Sequence, residues 1–296
     1  MKRLILTLFL TLLGVLPVMA QKKKKLAADF SFPDSLSAPA KVTFTNRSSG
    51  GEIYEWDFGD GTTSSEVSPT HIYKRSGNYV VKLTIRQGKK SKSVEKVVPI
   101  KAPDRCLIEI ETEYGTMLAE LFSSTPKHRD NFVKLAEEGF YDGLLFHRVI
   151  KGFMIQGGDP LSRNASPEQM LGMGGPGYQI PAEFVDSLIH TKGAIAAART
   201  NNPKKESSGS QFYIVQGAPV GEEQLNQIEL MRNFRYTAQQ REAYRKWGGA
   251  PHLDREYTVF GRVIEGLDVI DRIAAVETGF ADRPKKDVWM KVRVIK

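Results

Sequence analysis

The sequence predicts a mainly β chain, with a small β-sandwich followed by a larger closed barrel plugged by helices. Three observations point there. Apolar and polar residues alternate with period two in runs such as Lys41-Val42-Thr43-Phe44-Thr45, Tyr79 to Ile85, Leu107 to Thr112 and Thr258 to Ile264. Turn signals, among them Asp60-Gly61, separate the runs, because glycine accepts positive φ and aspartate can bond its own backbone. Helical spacing is confined to a few segments, and a few helices among many strands suit a barrel with plugs.

The elements follow in chain order. Lys2 and Arg3 precede an apolar stretch from Leu4 to Leu16, and Val18-Met19-Ala20 precede Gln21. This is the three-part plan of a secretory signal peptide, assigned to residues 1–20. The apolar run is shorter than the roughly 20 residues that span a bilayer, so no integral membrane segment is expected after cleavage. Residues 21–25 form a basic linker, Lys22 to Lys25. Of the 42 Lys and Arg, these four together with Lys2 and Arg3 make six; the remaining 36 face 34 Asp and Glu. With no basic excess left on the folded part, a nucleic-acid partner is excluded.

Residues 26–101 read as short strands around Tyr54-Glu55-Trp56-Asp57-Phe58-Gly59-Asp60-Gly61-Thr62, a small antiparallel sandwich. Asp57 and Asp60 supply too few oxygens for calcium, which takes six to eight, and read as turn residues. Lys89 to Lys92 tip a hairpin. Trp56 to Gly61, with His71-Ile72-Tyr73 and Gly77-Asn78-Tyr79, resembles the PKD domain, an immunoglobulin-like module of exported bacterial proteins. The resemblance leaves room for an envelope protein or glycan as a partner, or for a spacer role.

The pattern restarts after Pro99 to Asp104, so a second domain is expected over 106–296. Cys106, the only cysteine, can form no intramolecular disulfide and heads an alternating strand as a small apolar residue. Strands over Leu107 to Thr112 and Met117 to Leu121 flank a turn at Glu113-Tyr114-Gly115. A helix follows, with Thr125 as its cap, Pro126 in its first turn, Phe132, Leu135 and Ala136 on one face and Gly139 at its end. Leu267, Ile270, Ile273 and Ala274 mark a second helix. Residues 216–251 interrupt the β pattern as an inserted helical hairpin. There Leu225, Ile228 and Met231 would share one face, and Thr237 and Gln240 have capping-box spacing ahead of the stop at Gly248-Gly249.

Several chemistries lack support. Gly172 to Gly177 satisfies G-x-G-x-x-G, but Pro181 stands where a helix must open, so no dinucleotide cofactor is expected and the segment reads as a substrate-side loop. The five histidines show no metal-ligand spacing, and neither a metal nor any other cofactor is implied. No nucleophile elbow supports acyl transfer.

Three segments remain: Phe146 to Asp159 (FHRVIKGFMIQGGD), Gly209 to Ile214 (GSQFYI) and Leu253 to Gly261 (LDREYTVFG). In that order they resemble the cyclophilin family of peptidyl-prolyl cis/trans isomerases. The resemblance implies an eight-stranded antiparallel barrel capped by two helices, acting on proline-containing unfolded or exported polypeptides. It places Arg148 at the catalytic position and Phe153, Met154 and Tyr213 at the proline pocket, with Leu253 as the pocket wall. Gln156, Ala198, Arg199 and Gln211 fall on the peptide groove, and His147, Phe212, His252 and Tyr257 complete the expected substrate-binding set. From the residues alone, His147 also reads as an ordinary hydrogen-bonded imidazole. Buried, Gln211 and the Tyr213 hydroxyl would each need a partner. His252 replaces a frequent Trp that helps bind cyclosporin, Tyr213 a frequent Phe, Tyr257 a frequent His and Arg199 a common Asn. Two further function classes compete: a chaperone-like peptide binder, and an envelope interaction protein acting through its N-terminal domain.

Overall fold

A computed structural model describes residues 25–296; the expected signal peptide and all of the basic linker but Lys25 lie outside the described residues. The chain forms two compact units. In the N-terminal one, Ile53–Asp57 pairs antiparallel with Gly77–Gln87 and with Thr63–Ser64, and Phe30–Ser31 pairs with Thr45–Asn46. Alternation sends Val81, Leu83 and Ile85 into a core with Phe30, Val42, Phe44, Trp56 and Phe58. The tryptophan ring meets Phe30 edge-on at 5.2 Å between centroids, and its Nε1 donates to the Glu66 carbonyl. Asp57 accepts from the Gly59 N–H, while Asp60 accepts from Thr62 and pairs with His71, so both carboxylates serve the turn that carries them. One pairing departs from the expected antiparallel plan: Leu36–Ser37 runs parallel to Ile100–Lys101.

The second unit is built on β1 (Cys106–Thr112), β2 (Gly115–Leu121), β3 (Leu144–Leu145), β4 (Arg148–Ile150), β5 (Met154–Gly157), β6 (Ala194–Ala197), β7 (Phe212–Val215), β8 (Val259–Glu265) and β9 (Trp289–Ile295). They lie in the order β3-β9-β1-β2-β8-β6-β7-β5-β4, every pair antiparallel. The two end strands, β3 and β4, are separated only by Phe146 and His147. They act as one bent strand, so the sheet closes on itself as the expected eight-stranded barrel. Ile108, Ile110, Met117, Ala119, Ile155 and Ile214 point inward.

Helices α1 (Pro126–Glu137) and α4 (Leu267–Ala274) pack onto this barrel through Phe132, Leu135 and Ala136 and through Val269, Ile270, Ile273 and Ala274. The cap of α1 differs from expectation. Thr125 makes no capping bond, its hydroxyl donating instead to the Phe122 carbonyl. The Glu183 carboxylate, remote in sequence, accepts the N–H groups of Lys127 (3.1 Å) and His128 (3.0 Å), and a carboxylate suits the positive end of a helix.

The insertion forms α2 (Glu222–Arg232) and α3 (Ala238–Trp247), with the Thr237–Gln240 capping box in place and Gly248 as the stop. Met231 does not join Leu225 and Ile228. It is 75% exposed, because each step of three residues turns back about 60° around a helix and two such steps leave the shared face. Glu229 takes the inward place and accepts from the Tyr236 N–H and from Arg241.

Candidate active site

The site grows out of the strand register. On β4, Val149 points into the barrel and leaves Arg148 outside; on β5, Ile155 points inward while Met154 and Gln156 face out; on β7, Phe212 and Ile214 point inward and Tyr213 out. Arg148 lies directly opposite Gln156, Gln156 opposite Tyr213, and Tyr213 opposite Ala196. Four adjacent strands therefore present one cross-strand row on the outer face. The alanines of β6, with Ala198 just beyond, keep the far end of this row low. Met154, Tyr213, Val215, Leu253 and Val259 pack around them as a second apolar cluster outside the barrel wall.

Above this row lies a cleft of about 880 Å³, lined by His147, Arg148, Phe153, Met154, Gln156, Ala198, Arg199, Tyr213, Leu253 and Tyr257 among others. Ten of the thirteen expected site residues thus meet in one place. Gln211 stands behind them. Its Oε1 accepts from Gln156 Nε2 (3.1 Å), and its own Nε2 donates to the carbonyls of Gly172 (2.9 Å) and Gly174 (2.7 Å). Arg148 Nη1 reaches Gln156 Oε1 at 3.5 Å. A polar chain thus runs from the guanidinium to the glycine-rich loop.

That loop is held by Asp159, fully buried, whose carboxylate accepts the N–H groups of Leu161, Gly172 and Gly174. A Cβ at position 174 would stand 2.1 Å from Asp159 Oδ1, which explains the glycine there. Gly158, at φ +87°, sits so close to Ser210 that a Cβ would lie 2.2 Å from its carbonyl oxygen. The segment borders the cleft at Gly172 and opens no helix.

Phe212 requires a correction. It is 1% exposed inside the barrel, packed against Phe132, Tyr141 and Phe146, and strand alternation keeps it from the cleft that Gln211 and Tyr213 serve. His252 stands at the rim, its ring 5.4 Å from that of Phe153. Arg199 is occupied: it donates to the Glu256 carbonyl, pairs with the Glu256 carboxylate and lies over the Tyr257 ring. His147 is not the ordinary hydrogen-bonded imidazole. Both ring nitrogens are buried without a partner, and burial pushes its pKa down to about 4.

Residues not expected from sequence complete the opposite wall: Pro167 to Leu171 and Gly279 to Asp287. Arg283 joins the two stretches, donating to the carbonyls of Ser166, Pro167 and Gln169. Asp282 pairs with Arg148 at 3.3 Å. No periodicity marks these loops, and the run Arg283-Pro284-Lys285-Lys286 carries no sign of its place on a cleft. Outside the cleft, His128 bridges Glu183 and Ser207 in a serine–histidine–carboxylate array. Ser207 is 1% exposed, so the array ties α1 to the strand pair Gln179–Ile180 and Ser207–Ser208 and cannot receive a substrate.

The family model for cyclophilin-type peptidyl-prolyl cis-trans isomerases matches residues 107–294. The chain belongs to this family. A second model, for the PKD domain, matches residues 25–101. The cyclophilin part is 42% identical over 187 residues to a candidate bifunctional phosphatase/peptidyl-prolyl cis-trans isomerase of Streptococcus pyogenes, covering 61% of this chain and 37% of that protein's length. It is 38% identical over 182 residues to a candidate peptidyl-prolyl cis-trans isomerase of Staphylococcus haemolyticus, covering 61% of this chain and 86% of that one. A crystal structure of a Cryptosporidium parvum cyclophilin-type isomerase superposes with a TM-score of 0.49 at 26% identity, covering 65% of this chain and 98% of that one. Within this cyclophilin domain, the cleft brings together the Arg148 cation, paired with Asp282, an apolar floor and polar side chains between them.

Proposed function

We propose that this cyclophilin works on Xaa-Pro bonds of exported proteins as they fold, with Arg148 as its catalytic residue. The observation that carries the reading is the placement of Arg148, Gln156 and Tyr213 in one cross-strand row along the cleft floor. The peptide C–N bond resists rotation by about 18–20 kcal/mol because twisting it abolishes resonance. In the twisted state the proline nitrogen turns pyramidal and gains a lone pair. A guanidinium directed at that nitrogen, or holding the adjacent carbonyl, stabilises the twisted state more than the planar one, which is the requirement for catalysis. Arginine keeps its charge at any working pH. Met154, Phe153, Tyr213 and Leu253 would grip the pyrrolidine ring while Gln156 and the glycine-loop side hold the flanking backbone, concentrating the twist in one bond.

Bringing a reaction of tens of seconds to milliseconds takes a factor of about 10⁴, or roughly 5–6 kcal/mol, within reach of one charged hydrogen bond plus positioning. Arg148→Ala is expected to remove most of the acceleration on a short Ala-Pro peptide while leaving the circular dichroism spectrum unchanged. Equal rates in both proteins would sink the assignment.

A chaperone-like reading has one observation in its favour. Met170 and Phe280, on the cleft wall, are 62% and 83% exposed, an apolar margin suited to unfolded segments of any sequence. Suppressed aggregation of a proline-free client would support it. Export and an envelope location are supported by the pattern of residues 1–20. Among the described residues no helix is long and apolar enough to cross a membrane. The PKD domain serves in this reading as a spacer or as the part that engages an envelope protein or glycan.

A further inference from the structure

Behind the proline pocket lies a buried polar network that the isomerase reaction does not itself require. Tyr213, on the cleft floor, has its hydroxyl 3.0 Å from His190 Nε2. His190 Nδ1 lies 2.7 Å from Asp254 Oδ1, which also accepts the His190 N–H at 2.9 Å. The other carboxylate oxygen accepts the hydroxyls of Tyr236 (2.7 Å) and Tyr244 (2.5 Å). Tyr236 precedes the cap of α3 and Tyr244 lies on it, so both belong to the insertion. Each member of the network is 6% exposed or less.

The proton positions follow from chemistry. A carboxylate can only accept, so His190 Nδ1 carries a hydrogen, and in the neutral ring Nε2 is left to accept from Tyr213. Burial and the Asp254 charge hold both insertion hydroxyls protonated, and burial does the same for Tyr213. The His190 Nδ1 hydrogen and the three tyrosine hydroxyl hydrogens then all find acceptors, and the His190 backbone N–H is shared between Asp254 Oδ1 (2.9 Å) and the Tyr244 oxygen (3.1 Å). Such a network locks its members in place, and a missing member leaves a buried group unpaired.

Asp254 follows Leu253, the pocket wall, and its backbone is held from the same side. Arg232, at the end of α2, donates to the carbonyls of His252 (2.7 Å) and Asp254 (2.9 Å), and the Tyr236 hydroxyl lies 3.3 Å from the Pro251 carbonyl. We propose that Tyr236 and Tyr244 are positioning residues for the proline pocket, acting through Asp254 and His190 on the Tyr213 side chain. The insertion is thereby a built-in part of the site. This rests on the cleft being the proline site.

Steady-state kinetics on an Ala-Pro peptide series test it in the full chain, with Tyr244→Phe, Tyr236→Phe, Tyr213→Phe and the Tyr244→Phe/Tyr213→Phe double variant. Either insertion variant is expected to raise KM about three- to tenfold with little change in kcat. The double variant should be no worse than the worse single one, because the relay is already cut. The His190 Nδ1 proton resonance should shift in all three single variants. Arg245→Ala supplies the control, since it removes an exposed ion pair with Glu242 on the same helix without touching the network, and its KM should stay put. Unchanged KM in the tyrosine variants, or effects of Tyr244→Phe and Tyr213→Phe that simply multiply, would overturn the proposal. Should Arg148→Ala also retain full activity, the reading of the cleft itself fails; if Arg148→Ala is inactive, only the relay does.

Discussion

His147 makes no hydrogen bond of good geometry through either ring nitrogen, and burial outweighs the pull of Asp159 and the Leu145 carbonyl toward its charged form. Burial lowers its pKa to about 4, against an ordinary value near 6.5. Between those two values the unfolded chain binds a proton that the folded chain refuses, so folding stability rises with pH through this window and is lost as pH falls toward 4. The full difference amounts to about 3 kcal/mol. Urea denaturation at pH 7 and pH 4.5 should therefore show a shallower loss for His147→Phe than for the unaltered chain, by about 2 kcal/mol. Parallel losses would mean that His147 takes up its proton equally well folded and unfolded. Gln211 is the opposite case, buried but fully engaged with Gln156 and two carbonyls. Gln211→Leu should lower kcat/KM through the slackened loop, by about 1–3 kcal/mol of lost hydrogen bonding; a kcat/KM equal to the unaltered protein's would show the loop needs no such tie.

Among the elements, α1 shows how a cap can come from a distant segment. Threonine before proline is an ordinary start signal, and local sequence holds nothing to displace it. The Glu183 carboxylate nevertheless takes both free N–H groups and the His128 ring. Burial works against its ionisation, but these donors prevail and leave its pKa below the usual carboxylate range. Glu183→Ala is expected to cost about 2 kcal/mol of stability and Thr125→Ala well under 1, read from denaturation midpoints. A larger loss for Thr125→Ala would reverse the assignment. The same element logic explains Met231: periodicity by threes drifts around a helix, and only a partner surface says where the buried face stops.

For the molecule as a whole, alternation and turn signals made both β units legible, helical spacing and the capping box did the same for the insertion, and the three motifs carried eight of the cleft's lining residues, all on one side of it. Phe212 escaped because a motif string carries neighbours along with functional residues; the strand period separates them. The loops around Pro167 to Leu171 and Gly279 to Asp287 escaped because their place on the cleft depends on Arg283 crossing between segments far apart in sequence. The destination of the chain is a whole-molecule prediction. Cell fractionation should recover it from the envelope or periplasm, and removal of residues 26–101 should reduce envelope retention if that part engages a surface partner. Unchanged retention would leave it as a spacer, and recovery of the intact chain only from the cytoplasm would overturn the export reading.

The bent strand that carries Arg148 has β9 as its neighbour on one side, and β9 also pairs with β1. Trp289–Ile295 is the last strand of the barrel to leave the ribosome. Until it arrives, β1 and β3 have nothing between them and the seam beside Arg148 stays open. Closure of the barrel beside Arg148 is therefore an event that waits for β9, however early the arginine itself was made.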